Sequence, residues 1–189
     1  MTQKLNQAEQ EILLKIARQA MEKAVRGESL PSIKLDDLPV ALQEPGASFV
    51  TLTIEGRLRG CIGAIDAYQP LVKDVQEHAV AAATQDFRFP RVQSEELNQI
   101  HIEVSVLTPR TLVNYDTPQE LIEKLRPNID GVILQDGRRR ATFLPQVWEQ
   151  LPKPEEFLSH LCMKMGGAAN LWRDKPMTVH IYQVQEFRE

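Results

Sequence analysis

The chain has 189 residues, of which 42% are hydrophobic and 25% charged, with a formal net charge of −4 at neutral pH. This length suits one domain with a buried core, and the composition is that of an ordinary soluble protein. A net negative charge argues against a nucleic-acid binder, which shows a basic excess or stripe, and no uninterrupted apolar run reaches the length that spans a bilayer. The opening residues, Met1 to Gln7, lack the apolar core of a signal peptide. Two cysteines about a hundred residues apart form neither a disulfide framework nor a metal-binding pair. A reducing, cytoplasmic setting with no membrane and no metal site is the expectation.

In chain order, Asn6-Gln7-Ala8-Glu9 is a capping box that opens a helix. Ile12, Leu13, Ile16, Ala20 and Ala24 recur at helical spacing, and Gly27 ends it. Residues 28–47 carry Pro31, Pro39, Pro45 and Gly46 and form irregular chain, although Ile33, Leu35, Leu38, Val40 and Leu42 predict that it packs down. A strand pattern follows at residues 49–55. After it comes Leu58-Arg59-Gly60-Cys61-Ile62-Gly63, the most chemically suggestive stretch of the sequence. Gly56-Arg57 between two apolar runs suits a type II′ turn, because glycine takes positive φ without steric cost. Alternation then puts Arg57, Arg59, Cys61 and Gly63 on one face of the second strand. A thiol beside guanidinium groups is expected to ionise more easily than a free one.

Pro70 starts a second helix running to about Gln85, with Leu71, Val75, Ala79, Ala82 and Ala83 buried. His78 sits near the edge of that stripe, where a packed, hydrogen-bonded histidine is the plainer reading than a titrating one. Asp86-Phe87-Arg88-Phe89-Pro90 breaks the helix. It reads as a hydrophobic plug with a local ion pair, or else as a pocket wall. From Ile100, the residues Ile100, Ile102, Val104 and Val106 take one face of a strand, and His101, Glu103 and Ser105 the other. A polar face of this kind is either solvated or lines a cleft.

Thr117-Pro118-Gln119-Glu120 opens a short helix burying Leu121, Ile122 and Leu125. Asp136-Gly137 reads as a type I′ hairpin turn. Arg138, Arg139 and Arg140 on its second arm are either alternating solvated charge or an anion contact. Pro145 begins a helical turn bearing Trp148. Residues 155–165 form a helix burying Phe157, Leu158, Leu161 and Cys162, with Gly166-Gly167 as its stop. Residues 178–187 read as one closing strand. Two hairpins with separated helices give α+β, with a largely antiparallel sheet and flanking helices.

Several strings resemble the AMMECR domain family, known in bacteria and archaea as AmmeMemoRadiSam system protein A. They are Phe49-Val50-Thr51-Leu52, Gly56-Arg57-Leu58-Arg59-Gly60-Cys61-Ile62-Gly63, Asp86-Phe87-Arg88-Phe89-Pro90, Glu103-Val104-Ser105-Val106-Leu107 and Thr142-Phe143-Leu144-Pro145-Gln146-Val147-Trp148. The resemblance spans nearly the whole chain. It implies a single two-lobed AMMECR-like α+β domain over residues 1–189, a cytosolic setting, and Memo-like and radical SAM proteins as partners. It implies no settled activity and leaves the cofactor unknown. The residues carried over at matching positions are Arg59, Cys61, Asp86, Arg88, Glu103 and Ser105.

Two functions follow from these residues. In the first, an enzyme uses Cys61 as nucleophile or redox thiol and Glu103, or else His101 or His78, as acid or base. Arg59, Asp86, Arg88 and Ser105 then bind the substrate. In the second, the same residues hold a small anion, or dock a partner, with no chemistry of their own. A small cysteine required for tight strand packing between two glycines is the plain alternative to both.

Overall fold

The chain enters its fold through a capped helix. The computed structural model describes residues 4–189; residues 1–3, part of the N-terminal stretch considered above, lie outside the described residues. Helix α1 (Gln7–Arg26) is opened by the capping box of Asn6 and Glu9 and closed by Gly27 at φ 72°. The other helices are α2 (Val40–Gln43), α3 (Leu71–Thr84), α4 (Pro118–Lys124), α5 (Pro154–Lys164) and α6 (Leu171–Asp174). The strands are β1 (Pro45–Gly46), β2 (Ser48–Ile54), β3 (Arg57–Gly63), β4 (Gln69–Pro70), β5 (Ile100–Leu107), β6 (Thr111–Leu112), β7 (Gly131–Asp136), β8 (Arg139–Phe143), β9 (Thr178–Tyr182) and β10 (Val184–Arg188). Helices and antiparallel sheets are mixed as expected. The chain divides into two compact units, residues 1–107 with 185–189 and residues 108–184.

The first unit holds an antiparallel sheet of order β10-β5-β2-β3. Helices α1 and α3 pack against one another and onto one face, because Val50, Leu52, Ile102 and Val104 alternate toward them and are fully buried. The irregular segment before β1 does pack down, with Leu42 buried and Ile33, Leu35 and Leu38 against the core; Val40 alone points outward. The second unit holds a sheet of order β6-β9-β7-β8 over a core in which Trp148 stacks on Phe157 at 3.7 Å.

Three features differ from the sequence reading. Both hairpin turns lie one residue away from where composition puts them. In the first, Ile54 pairs with Arg57, and Glu55 and Gly56 both take positive φ, the pattern of type I′. In the second, Asp136 pairs with Arg139 and only Gly137 has positive φ, as type II′ requires. The closing segment is two strands rather than one: β9 belongs to the second sheet and β10 to the first. The apolar positions change phase at this point, from Val179 and Ile181 to Tyr182 and Val184.

Strand β3 lies close against α3. A Cβ added at Gly60 would sit 2.2 Å from the backbone oxygen of Ala82, whereas one at Gly56 meets nothing. Neither helix nor strand backbone yields cheaply. Gly60→Ala is therefore expected to lower the unfolding free energy by about 2–3 kcal/mol, and Gly56→Ala, strained only by its φ, by about 1 kcal/mol. Urea denaturation of the two variants checks the difference.

Candidate functional site

The side of the first sheet turned away from α1 and α3 carries the polar residues. Its layout depends on one irregularity. Leu52 pairs with Gly60 but Thr53 pairs with Leu58, so Arg59 is an extra residue bulged out of β3. The bulge brings Thr51 opposite Cys61, and Thr51 is also opposite Glu103 on β5. Cys61, Thr51 and Glu103 thus form one row across three strands. Phe49, Gly63 and Ser105 form the next row.

β3 is an edge strand, and the backbone of Cys61 is capped from outside by side chains. Its N–H donates to Asp86 Oδ2 at 2.9 Å, and its carbonyl accepts from Arg88 Nη2 at 3.1 Å. The outward-turned N–H makes Cys61 and Thr51 a non-hydrogen-bonded pair, the kind whose side chains approach most closely. Asp86 is buried and also accepts from Arg88 Nε at 2.9 Å and Nη2 at 2.6 Å. The Arg88 guanidinium, followed by burial working against it, brings the Asp86 carboxyl down to about 2. The broken-helix segment is consequently a strand-edge cap rather than a plug, since Phe87 is 95% exposed.

The sulfur of Cys61 accepts a hydrogen bond from Thr51 Oγ1 at 3.2 Å. Burial pushes this thiol up, and the Thr51 hydroxyl and Arg88 offset only part of that. The expectation of an easily ionised thiol is therefore corrected: at neutral pH Cys61 rests as S–H. The guanidinium that reaches the thiol belongs to Arg88. Arg59, displaced by the bulge, makes a bidentate pair with Glu96 at 2.7 and 2.9 Å and donates to the carbonyl of Pro90. Alternation therefore does not extend from Cys61 to Arg59 and Arg57.

Glu103 has the opposite electrostatic character to Asp86. Burial first, and then the carboxylate of Glu186 on β10 as both a charge and a hydrogen-bond partner, raise it to about 7, with Arg188 opposing. Ser105 is buried in the adjacent row, and His101 is exposed. Of the six carried-over residues, the structure gathers Cys61, Asp86 and Arg88 at the strand edge and sets Glu103 two strands away, across Thr51. Arg59 is engaged elsewhere. Sequence reasoning missed Thr51 and Glu186, which become visible only once the register is known.

A separate polar cluster lies on the helix side of the sheet. Ser48 N and Oγ donate to Asp74 Oδ2 at 2.8 and 2.6 Å, and His78 Nδ1 is 3.1 Å from the same oxygen. His78 is indeed packed and hydrogen-bonded. In the second unit the arginine run does not act as a cluster, for Arg139 pairs with Asp136 and with the carbonyl of Gly166. Arg140 lies near His180, whose imidazole is held below its ordinary value by burial and then by Arg110 and Arg140. No group of three or more His, Cys, Asp or Glu able to hold a metal occurs among the described residues, and no described helix is long and apolar enough to cross a membrane.

The fold and this row together define an α+β protein with a cysteine at the edge of an antiparallel sheet, its backbone pinned by an Asp–Arg pair. A family model for AMMECR1 matches residues 14–187. A protein of Methanothermobacter thermautotrophicus is 40% identical over 191 residues, covering 98% of this chain and 96% of that one. Protein PF1979 of Pyrococcus furiosus is 37% identical over 190 residues, covering 95% and 87% respectively. The crystal structure of an uncharacterised protein, PH0010 from Pyrococcus horikoshii, superposes with a TM-score of 0.90 at 34% identity, covering 98% of this chain and 93% of that one. The chain belongs to the AMMECR1 family.

Two carboxyls of the site predict opposite pH behaviour. The folded Asp86 value is depressed from 3.8 to about 2, so its stabilisation of about 2 kcal/mol is present above pH 4 and lost as pH falls through 2. The folded Glu103 value is raised from 4.5 to about 7, so the folded state holds the extra proton and stability declines as pH rises through that window. Unfolding midpoints from pH 2 to 8 are expected to show Asp86→Asn losing stability most above pH 4. Glu103→Gln flattens the decline between pH 5 and 7.

Proposed function

We propose that this protein is an enzyme whose reaction is centred on Cys61, with Glu103 as the proton-transfer group and Arg88 as the charge that stabilises an anion. The observation that carries this reading is the single row Cys61–Thr51–Glu103, in which the carboxyl is poised near neutrality at about 7. A resting thiol must lose its proton to react, and a half-ionised carboxylate in the same row is suited to take it. The Cys61 S–H proton passes to ionised Glu103, and the thiolate bonds to an electrophilic carbonyl carbon. The oxygen that gains the electron pair is stabilised by Arg88, whose Nη1 makes no hydrogen bond among the described residues. Glu103 gives that proton to the departing group as the adduct collapses to a thioester. Water then cleaves the thioester, its hydroxyl going to the carbonyl carbon and its proton, by way of Glu103, to the sulfur. Asp86 holds Arg88 and the Cys61 backbone in place, and Ser105 lines the adjacent row. Both cysteines are free thiols, which fits a reducing, cytoplasmic setting.

A second reading, a binding protein that acts with Memo-like and radical SAM partners, draws on one observation. Phe87, 95% exposed, projects from the segment that caps Cys61, and aromatic residues are enriched where protein partners meet.

Iodoacetamide alkylation as a function of pH tests the enzyme reading, because Cys162 is fully buried and silent. The expected profile has a main midpoint above that of a free cysteine and a smaller inflection near 7 from Glu103. Glu103→Gln removes the inflection, Arg88→Ala raises the main midpoint, and Arg59→Ala changes neither. A profile insensitive to both Glu103→Gln and Arg88→Ala refutes the assignment of roles.

A further inference from the structure

We infer that Thr51 is a catalytic residue, the relay through which the Cys61 proton travels to Glu103 and back; this inference rests on the enzyme reading above. Cys61 and Glu103 are on β3 and β5, with the whole of β2 between them. Adjacent strands lie about 4.8 Å apart, so their α-carbons are separated by roughly 10 Å. A cysteine side chain is short, and nothing on β2 except Thr51 is opposite both residues. The Thr51 hydroxyl is 3.2 Å from Sγ, in direct contact with the reacting atom.

A hydroxyl has one donor hydrogen and two acceptor lone pairs. At rest Thr51 donates to the sulfur. When Glu103 is ionised, the same hydroxyl can turn its hydrogen to the carboxylate and accept the S–H proton on a lone pair. Thr51 gains one proton and gives one up, the thiol becomes a thiolate, and Glu103 becomes a neutral acid. The reverse passage restores the thiol. Charged groups that bear on this path from neighbouring elements are Glu186 and Arg188 on β10 beside Glu103, and Asp86 and Arg88 of the segment after α3 beside Cys61. Valine and serine bracket the hypothesis well. Valine keeps the β-branched shape and β-propensity of threonine without the hydroxyl, and serine keeps the hydroxyl without the methyl.

The same alkylation profile, measured on the full chain, decides the matter. Thr51→Val is expected to move the main midpoint to higher pH, to slow alkylation at pH 7 about tenfold, and to abolish the inflection near 7 although Glu103 is still present. Thr51→Ser restores both. If Glu103→Gln removes the inflection while Thr51→Val leaves it in place, the proton reaches Glu103 by a path other than Thr51, such as a water, so the relay is overturned and the enzyme reading stands. If neither substitution affects the profile, both fall together. Circular dichroism of Thr51→Val must match the parent, and should it not, the Thr51→Ser profile alone decides: an inflection near 7 supports a hydroxyl relay and its loss overturns it.

Discussion

The site depends on how β3 is held at the edge of its sheet. An edge strand offers unpaired N–H and carbonyl groups, and such groups must be covered, solvated or paired. Here the carboxylate of Asp86 and the guanidinium of Arg88 take the place of a neighbouring strand for Cys61, one accepting and the other donating. The pair is neutral as a unit and satisfies both backbone groups at a single residue. Because Asp86 is buried and receives four hydrogen bonds from Cys61 and Arg88, the cap cannot swing away without stranding a charge. Cys61 is thereby fixed in depth and in direction.

Fixing the backbone at Cys61 has a consequence further along the same strand. Gly60 is pressed onto the carbonyl of Ala82, and Gly63 against Phe49 and the carbonyl of Ser48. With both flanks constrained, the additional residue of β3 is accommodated at Arg59. The bulged arginine is then anchored by Glu96 and Pro90 rather than by anything near the sulfur. The two arginines of the region thus divide the work. Arg59 is turned to Glu96 and Pro90, away from the sulfur, and Arg88 supplies the positive charge beside the thiol.

Much of the scaffold was legible in the sequence, because it is written in local signals. The capping box at Asn6, the left-handed Gly27, the alanine-rich face of α3 and the alternation of β5 each depend on residues within one or two turns of one another. The site was legible only in its ingredients. A two-residue turn at Gly56-Arg57 places Leu52 opposite Cys61, and one at Glu55-Gly56 places Val50 there. Neither count yields Thr51, because the bulge at Arg59 adds the missing step. Gly60, a glycine inside a strand, signals a bulge or a close approach, but it does not say which residue is the extra one. The change of sheet between β9 and β10, which delivers Glu186 to Glu103, was signalled only by a phase shift, the apolar positions moving from Val179 and Ile181 to Tyr182 and Val184 across Gln183.

The electrostatics of the row follow from this geometry and explain why a thiol that rests protonated is compatible with chemistry. A depressed thiol would be a standing nucleophile, open to oxidation and to adventitious electrophiles. Burial of Cys61 suppresses that reactivity, while burial of Glu103 beside Glu186 creates a carboxyl that is part ionised near neutrality. The two shifts have the same physical origin, desolvation of an acid, and they act in concert. One acid is kept from releasing its proton unaided and the other is made able to accept it. On the proposed enzyme reading such an arrangement responds to an occupant: a ligand that brings an electrophile to the sulfur and a dipole to Arg88 lowers the cost of forming the thiolate only while it is bound. On that reading selectivity resides in the row as a whole, and the aligned side chains of three strands, rather than the cysteine alone, are the proposed working unit.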